Sequence, residues 1–141
     1  MNNKRFESTY YKFVQVANKV EEQIKQPLKT NGLTHSQLNV LHLLNDLYPK
    51  SLNVKDIKEK MVVRQPDISR LIDRLEKKGF IERKICETNR RMVDVRITDL
   101  GRQTFKSSHI TCKKAVGNFF QDYLNEEEAR QLFKLLNKIE L

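Results

Sequence analysis

Between Asn53 and Thr98 the spacing of apolar residues changes from helical to strand-like, and few folds can bury elements in that order. Ile68, Leu71, Ile72 and Leu75 recur at three- and four-residue intervals and define one stripe of a helix. We expect this helix to open at Gln65-Pro66-Asp67 and to close at Gly79. Proline is pre-organised for a first helical turn, and glycine for the position just past the last. Ser69, Arg70, Asp73, Arg74, Lys77 and Lys78 are left for the outer face, which is mostly cationic. A shorter helix precedes it, with Asn53 as N-cap and Val54, Ile57 and Met61 on a narrow apolar stripe. Two helices with so short a connection form a helix-turn-helix. In that motif the second helix lies in the DNA major groove, with its N-terminal residues at the base edges.

Ile81-Glu82-Arg83-Lys84-Ile85 and Val93-Asp94-Val95-Arg96-Ile97 alternate apolar and polar residues, as half-buried antiparallel strands do. Cys86 to Met92 would form the exposed tip of the hairpin, carrying Asn89-Arg90-Arg91. A basic tip beside a recognition helix can reach a minor groove, where narrowing deepens the negative potential that attracts arginine. The expected class is mainly α with a small antiparallel β-hairpin, a winged helix-turn-helix.

Charge points to the same region. The chain of 141 residues has a formal net charge of +9, and residues 50–106 hold 16 Lys/Arg against 9 Asp/Glu. Residues 1–49 hold 6 against 4, and residues 107–141 hold 5 against 5. A single run of charge is usually a solvated face, whereas an excess gathered in one motif suits a polyanion partner. The expected DNA-contacting residues are Arg64, Gln65, Ser69, Arg70 and Arg74 around the recognition helix, with Arg90 and Arg91 on the wing. Polar side chains at a helix start read bases, so a sequence-specific regulator is favoured over a non-specific nucleoid or architectural protein.

Enzyme chemistry finds no foothold, since no glycine-rich phosphate loop, Cys/His or Ser/His pairing with a supporting acid, or metal cluster appears. No cofactor or metal is expected. His35, His42 and His109 are too dispersed for a local metal motif, and isolated histidines are usually structurally satisfied. Cys86 and Cys112 lack Cys-x-x-Cys spacing and read as reduced thiols, with a thiol-based redox-responsive regulator as an alternative through Cys86. There is no apolar run of membrane-spanning length, and Met1-Asn2-Asn3-Lys4-Arg5-Phe6 has no signal-peptide apolar region, so a cytoplasmic location without membrane association is expected.

Outside the motif the chain reads as helical. Phe6, Tyr10, Phe13, Val14, Ala17, Val20 and Ile24 follow helical spacing until Pro27 and Asn31-Gly32 break it. A long helix capped by Thr98 runs from Asp99 through Phe105, Cys112, Val116, Phe119 and Phe120 to Tyr123. Asn125-Glu126-Glu127-Glu128 reads as a capping box for a last helix with Ala129, Leu132, Phe133, Leu136 and Ile139 on one face. One small winged helix buries such terminal stripes poorly.

The run Ile68 to Arg83, followed by Asn89-Arg90-Arg91 and Val95-Arg96-Ile97-Thr98-Asp99-Leu100-Gly101, resembles the multiple-antibiotic-resistance regulator (MarR) family of bacterial transcription factors. Leu33-Thr34-His35-Ser36-Gln37-Leu38-Asn39-Val40-Leu41 is similar to that family's segment ahead of the motif. The resemblance implies a single domain over residues 1–141, with 33–98 as the winged helix and 1–32 and 99–141 as a helical dimerisation region. It implies a homodimer paired through Phe6, Phe119, Leu132, Phe133 and Leu136, matching a pseudo-palindromic operator on double-stranded DNA. It also implies a repressor relieved by an effector, such as a small aromatic molecule, for which Tyr10, Phe13, His35 and His42 are the candidate contacts. In the family's wing an Asp-x-Arg carboxylate braces the inserting arginine. Here Asn89 stands at the aspartate, which makes Arg91 the inserting residue.

Overall fold

The computed structural model describes residues 3–141, so Met1 and Asn2, with which the signal-peptide reading began, lie outside it. Six helices and three strands follow in order: α1 (Asn3–Thr30), α2 (His35–Leu47), β1 (Leu52–Asn53), α3 (Val54–Lys60), α4 (Ile68–Lys77), β2 (Ile81–Ile85), β3 (Val93–Ile97), α5 (Asp99–Gln121) and α6 (Glu126–Leu136). The expected class holds, with one addition. Leu52 and Asn53 pair with Val95 and Asp94, so the hairpin becomes a three-stranded antiparallel sheet in the order β1-β3-β2.

Local chemistry sets most helix ends. Asn53 caps α3 by accepting from the Asp56 amide, and Thr98 caps α5 by accepting from the Gly101 amide. Asn125 and Glu128 form the expected reciprocal capping box, and Thr34 with Gln37 forms another at the start of α2. Gly79 follows α4 at φ +76°, a conformation that glycine adopts without a Cβ clash.

Four boundaries differ from the sequence reading. α4 is capped by Asp67, whose carboxylate accepts from the Arg70 amide at 3.0 Å, so Pro66 and Gln65 precede the helix. α1 passes through Pro27 to Thr30, because Leu28, 1% exposed, is drawn into the core beyond the proline. At the far end, α5 stops at Gln121 and α6 at Leu136, which leaves Tyr123 and Ile139 outside regular helix.

One hydrophobic cluster joins the parts. Ile24 and Leu28 of α1, Leu41 and Leu44 of α2, Ile57 of α3, Leu71 and Leu75 of α4, Val95 and Ile97 of β3, and Phe105 and Cys112 of α5 all belong to it. Central strand β3 alternates from Val95 to Ile97, while Val93 and Asp94 are both half-buried. Edge strand β2 buries Ile81 alone and leaves Ile85 64% exposed, because the hairpin runs out past the core. α6 buries no residue.

Candidate nucleic-acid interface

α4 turns Leu71, Ile72 and Leu75 inward, which leaves Ser69, Arg70 and Arg74 exposed on its opposite face. Arg64 and Gln65 are exposed on the connector that leads into the cap, so they approach the helix rather than ride on it. The backbone of this connector is tied to α2. The amides of Val62 and Val63 both donate to Asn39 Oδ1 at 2.9 Å, and the Ser36 hydroxyl donates to Gln65 Oε1 at 3.2 Å. Ser36 and Asn39 were not singled out from sequence, because they lie more than twenty residues from their partners.

The wing turns at an exposed Arg90-Arg91 pair. The Met92 amide donates to the Asn89 carbonyl at 2.9 Å, and the Cys86 amide to the Met92 carbonyl at 2.9 Å. Asn89 Oδ1 accepts from the backbone amide of Arg91 at 3.1 Å, so this side chain shapes the turn and leaves the Arg91 guanidinium free.

Ion pairing sorts the basic residues into two groups. Arg83 on β2 contacts Asp73 and Glu76 of α4 at 2.6 and 3.0 Å, and Arg96 contacts Glu82 across the strands at 3.2 Å. The Arg83 hydrogen bond holds Glu76 below the usual carboxylate range, and Glu76 in turn raises Arg83. Lys78, expected on the outer face, bends back to donate to the Gly32 carbonyl and lies 3.5 Å from Gln37 Oε1. The guanidinium groups of Arg64, Arg70, Arg74, Arg90 and Arg91 make no ion pair or hydrogen bond among the described residues. Those five cations remain available to an external anion.

The remaining candidates fall in two places. A groove of about 700 Å³ between α1, α5 and α6 is lined by Phe13, Val20, Phe120, Leu132 and Leu136, with His35 also on its wall. His35 Nδ1 sits 2.5 Å from Glu21 Oε1 at this groove. Tyr10 and His42 do not line it. Tyr10 packs edge-on against Tyr11 on the exposed flank of α1, and His42 stacks on Phe105 and lies tilted against His109 where α2 meets α5. Burial lowers His109 below the ordinary histidine value, helped by the neighbouring charge of His42. Phe6 and Phe133 are each 66% exposed, while Phe119 is partly covered by Phe120 and Tyr123. Cys86 lies at the wing root with Sγ 3.2 Å from Thr88 Oγ1, whereas burial raises the Cys112 thiol, which keeps it protonated. No group of three His, Cys, Asp or Glu side chains that could hold a metal occurs among the described residues, and no described helix is long and apolar enough to cross a membrane.

Comparison with known proteins gives this geometry its lineage. The family model described as MarR family matches residues 33–93. Over 121 residues the chain is 31% identical to the HTH-type transcriptional repressor MdtR of Bacillus subtilis strain 168, covering 86% of this chain and 76% of that one. A MarR-like transcription regulator from Bacillus cereus ATCC 10987 shares the fold with a TM-score of 0.85 at 16% identity, over 95% of this chain and 94% of that one. A mutant of E. coli MarR, solved with operator DNA, superposes with a TM-score of 0.83 at 21% identity, over 98% and 97% of the two chains. The chain belongs to the MarR family of winged-helix transcriptional regulators.

Proposed function

We propose that this protein is a sequence-specific, double-stranded-DNA-binding transcriptional regulator that acts in the cytoplasm as a homodimeric repressor. The observation that carries the reading is the sorting of its arginines. Arg83 and Arg96 are neutralised internally, while Arg64, Arg70, Arg74, Arg90 and Arg91 stand unpaired among the described residues around α4 and the wing tip. Cations that find phosphates release condensed counterions, and side chains at the start of α4 are those a helix-turn-helix turns to base edges. In this reading residues 33–98 read DNA, and residues 1–32 and 99–141 pair the protomers. Exposed Phe6 and Phe133, and a terminal helix that buries nothing in its own chain, support that pairing. Phe13 and His35 in the groove beside α6 support relief by a small aromatic effector, since a ligand there would press on the same helices.

Selection of duplexes from a randomised pool, followed by titration of the winner against mixed-sequence DNA, tests the reading. A preference of about 10³-fold or more at physiological salt is expected, with Ser69→Ala and Arg70→Ala eroding it. A ratio near one would assign the surface to architectural binding.

A further inference from the structure

Ser36 on α2 is 9% exposed, and its hydroxyl donates to Oε1 of Gln65 at 3.2 Å. Gln65 is itself exposed, two residues ahead of the Asp67 cap of α4. The connector that carries it is held at its other end, where Asn39 Oδ1 accepts from both Val62 and Val63. Its side-chain amide nitrogen makes no hydrogen bond among the described residues. An unconstrained glutamine offers an acceptor and a donor together and therefore pairs bidentately with adenine, whose major-groove edge shows an N6 donor and an N7 acceptor. With one lone pair of the carbonyl oxygen engaged by Ser36, the amide is turned so that its two hydrogens, unpaired among the described residues, are its readiest offer to an outside edge.

We propose that Ser36 is a specificity-determining residue that never touches DNA: by engaging the Gln65 carbonyl it fixes the orientation of the amide, so that Gln65 acts chiefly as a donor to an acceptor edge. Guanine, with N7 and O6, and thymine, with O4, fit that edge. Cytosine sets its N4 donor against the amide hydrogens, and adenine leaves N6 unpaired. Asn39 acts as a positioning residue, because it holds the connector from which Gln65 projects. The inference rests on the proposed entry of α4 into the major groove.

Operator selection from randomised duplex with the wild type, Gln65→Ala, Ser36→Ala and Ser36→Thr tests it, with thermal melts run on each. Gln65→Ala should erase preference at one base pair per half-site, and base-analogue substitution on each strand of that pair should locate the wild-type contact on guanine N7 or O6, or on thymine O4. Ser36→Ala should admit adenine there, lowering the discrimination against it about tenfold, with the salt dependence of affinity unchanged. Ser36→Thr keeps the hydroxyl and should keep the preference. A wild-type contact that base analogues place on an adenine or cytosine amino group overturns the inference, as does a folded Ser36→Ala variant with wild-type preference. The wild-type contact atom and the threonine variant decide the matter even if the alanine variant unfolds. If neither Gln65→Ala nor Arg70→Ala alters any position, the proposed recognition surface fails and the inference falls with it.

Discussion

Arg83 of β2 and Glu76 of α4 are joined as a fork, Nη2 to Oε1 at 3.0 Å and Nε to Oε2 at 3.2 Å, and the Arg83 amide donates to the same carboxylate at 3.1 Å. The wing is thereby bolted to α4 by a side chain whose guanidinium is engaged within the chain. Arg83→Ala should lower stability by about 1 kcal/mol, since the pair is over a third exposed and solvent screens it. It should also weaken operator binding by loosening the angle between wing and helix. A variant with a lowered melting temperature and undiminished affinity would show that the angle is held without the fork.

Protonation tests the same link. Because Arg83 depresses Glu76 in the fold, the fork stabilises fully above the unfolded carboxylate value, about pH 4.3, and this contribution is lost as pH falls through the lower folded value. The wild type should therefore lose more stability than Glu76→Gln on acidification below about pH 4.3. Urea midpoints from neutral pH downward measure it, and parallel curves would contradict it.

The wing turn separates two roles in adjacent residues. Arg91→Ala should weaken binding to cognate and mixed DNA alike and reduce the salt slope by about one contact. Asn89→Asp keeps an acceptor for the Arg91 amide and should barely change affinity, whereas Asn89→Ala should lower it. A large gain with aspartate would mean that the family's carboxylate braces the guanidinium here as well.

Gly101 lies where α5 passes the end of α4. A Cβ there would sit 2.1 Å from the Phe80 carbonyl oxygen, which also accepts from the Thr98 amide at 3.0 Å. Gly101→Ala should cost about 1–3 kcal/mol through forced backbone displacement, read as a shift of the denaturation midpoint at constant slope. A near-neutral change would show that helix and hairpin can slide apart freely.

Leu136, 38% exposed on α6, lies on the groove wall and on the apolar stripe that the proposed dimer would cover. Leu136→Asp, or truncation after Tyr123, should yield a monomer that has lost tight operator binding with Arg70 and Arg91 intact. Sedimentation and DNA titration on one sample give both readouts. A folded monomer that still binds tightly would end the dimeric repressor reading.

Much of this arrangement was legible from residues close in sequence. Caps at Asn53, Thr98 and Asn125, the apolar stripe of α4 and the turn at Gly79 depend on interactions within four or five residues, so the chain alone determined them. The stripes of α1 and α6 were equally plain, as was the clustering of basic residues between Lys50 and Lys106. Pro66 misled the α4 boundary because proline suits the positions just before a helix as well as its first turn, and only the Asp67 carboxylate on the Arg70 amide settles which applies.

Tertiary packing decided which charges are free and which side chains are aimed. Arg83 looked like one more cation until β2 lay along α4, and Lys78 until the α1–α2 turn came within reach of its amine. Ser36 meets Gln65 across 29 residues of sequence, and β1 meets β3 from the far side of the helix-turn-helix. Periodicity and capping are energies of neighbours along the chain. Register between distant elements follows from burying one shared core, and the polar contacts at its margin inherit their geometry from that packing.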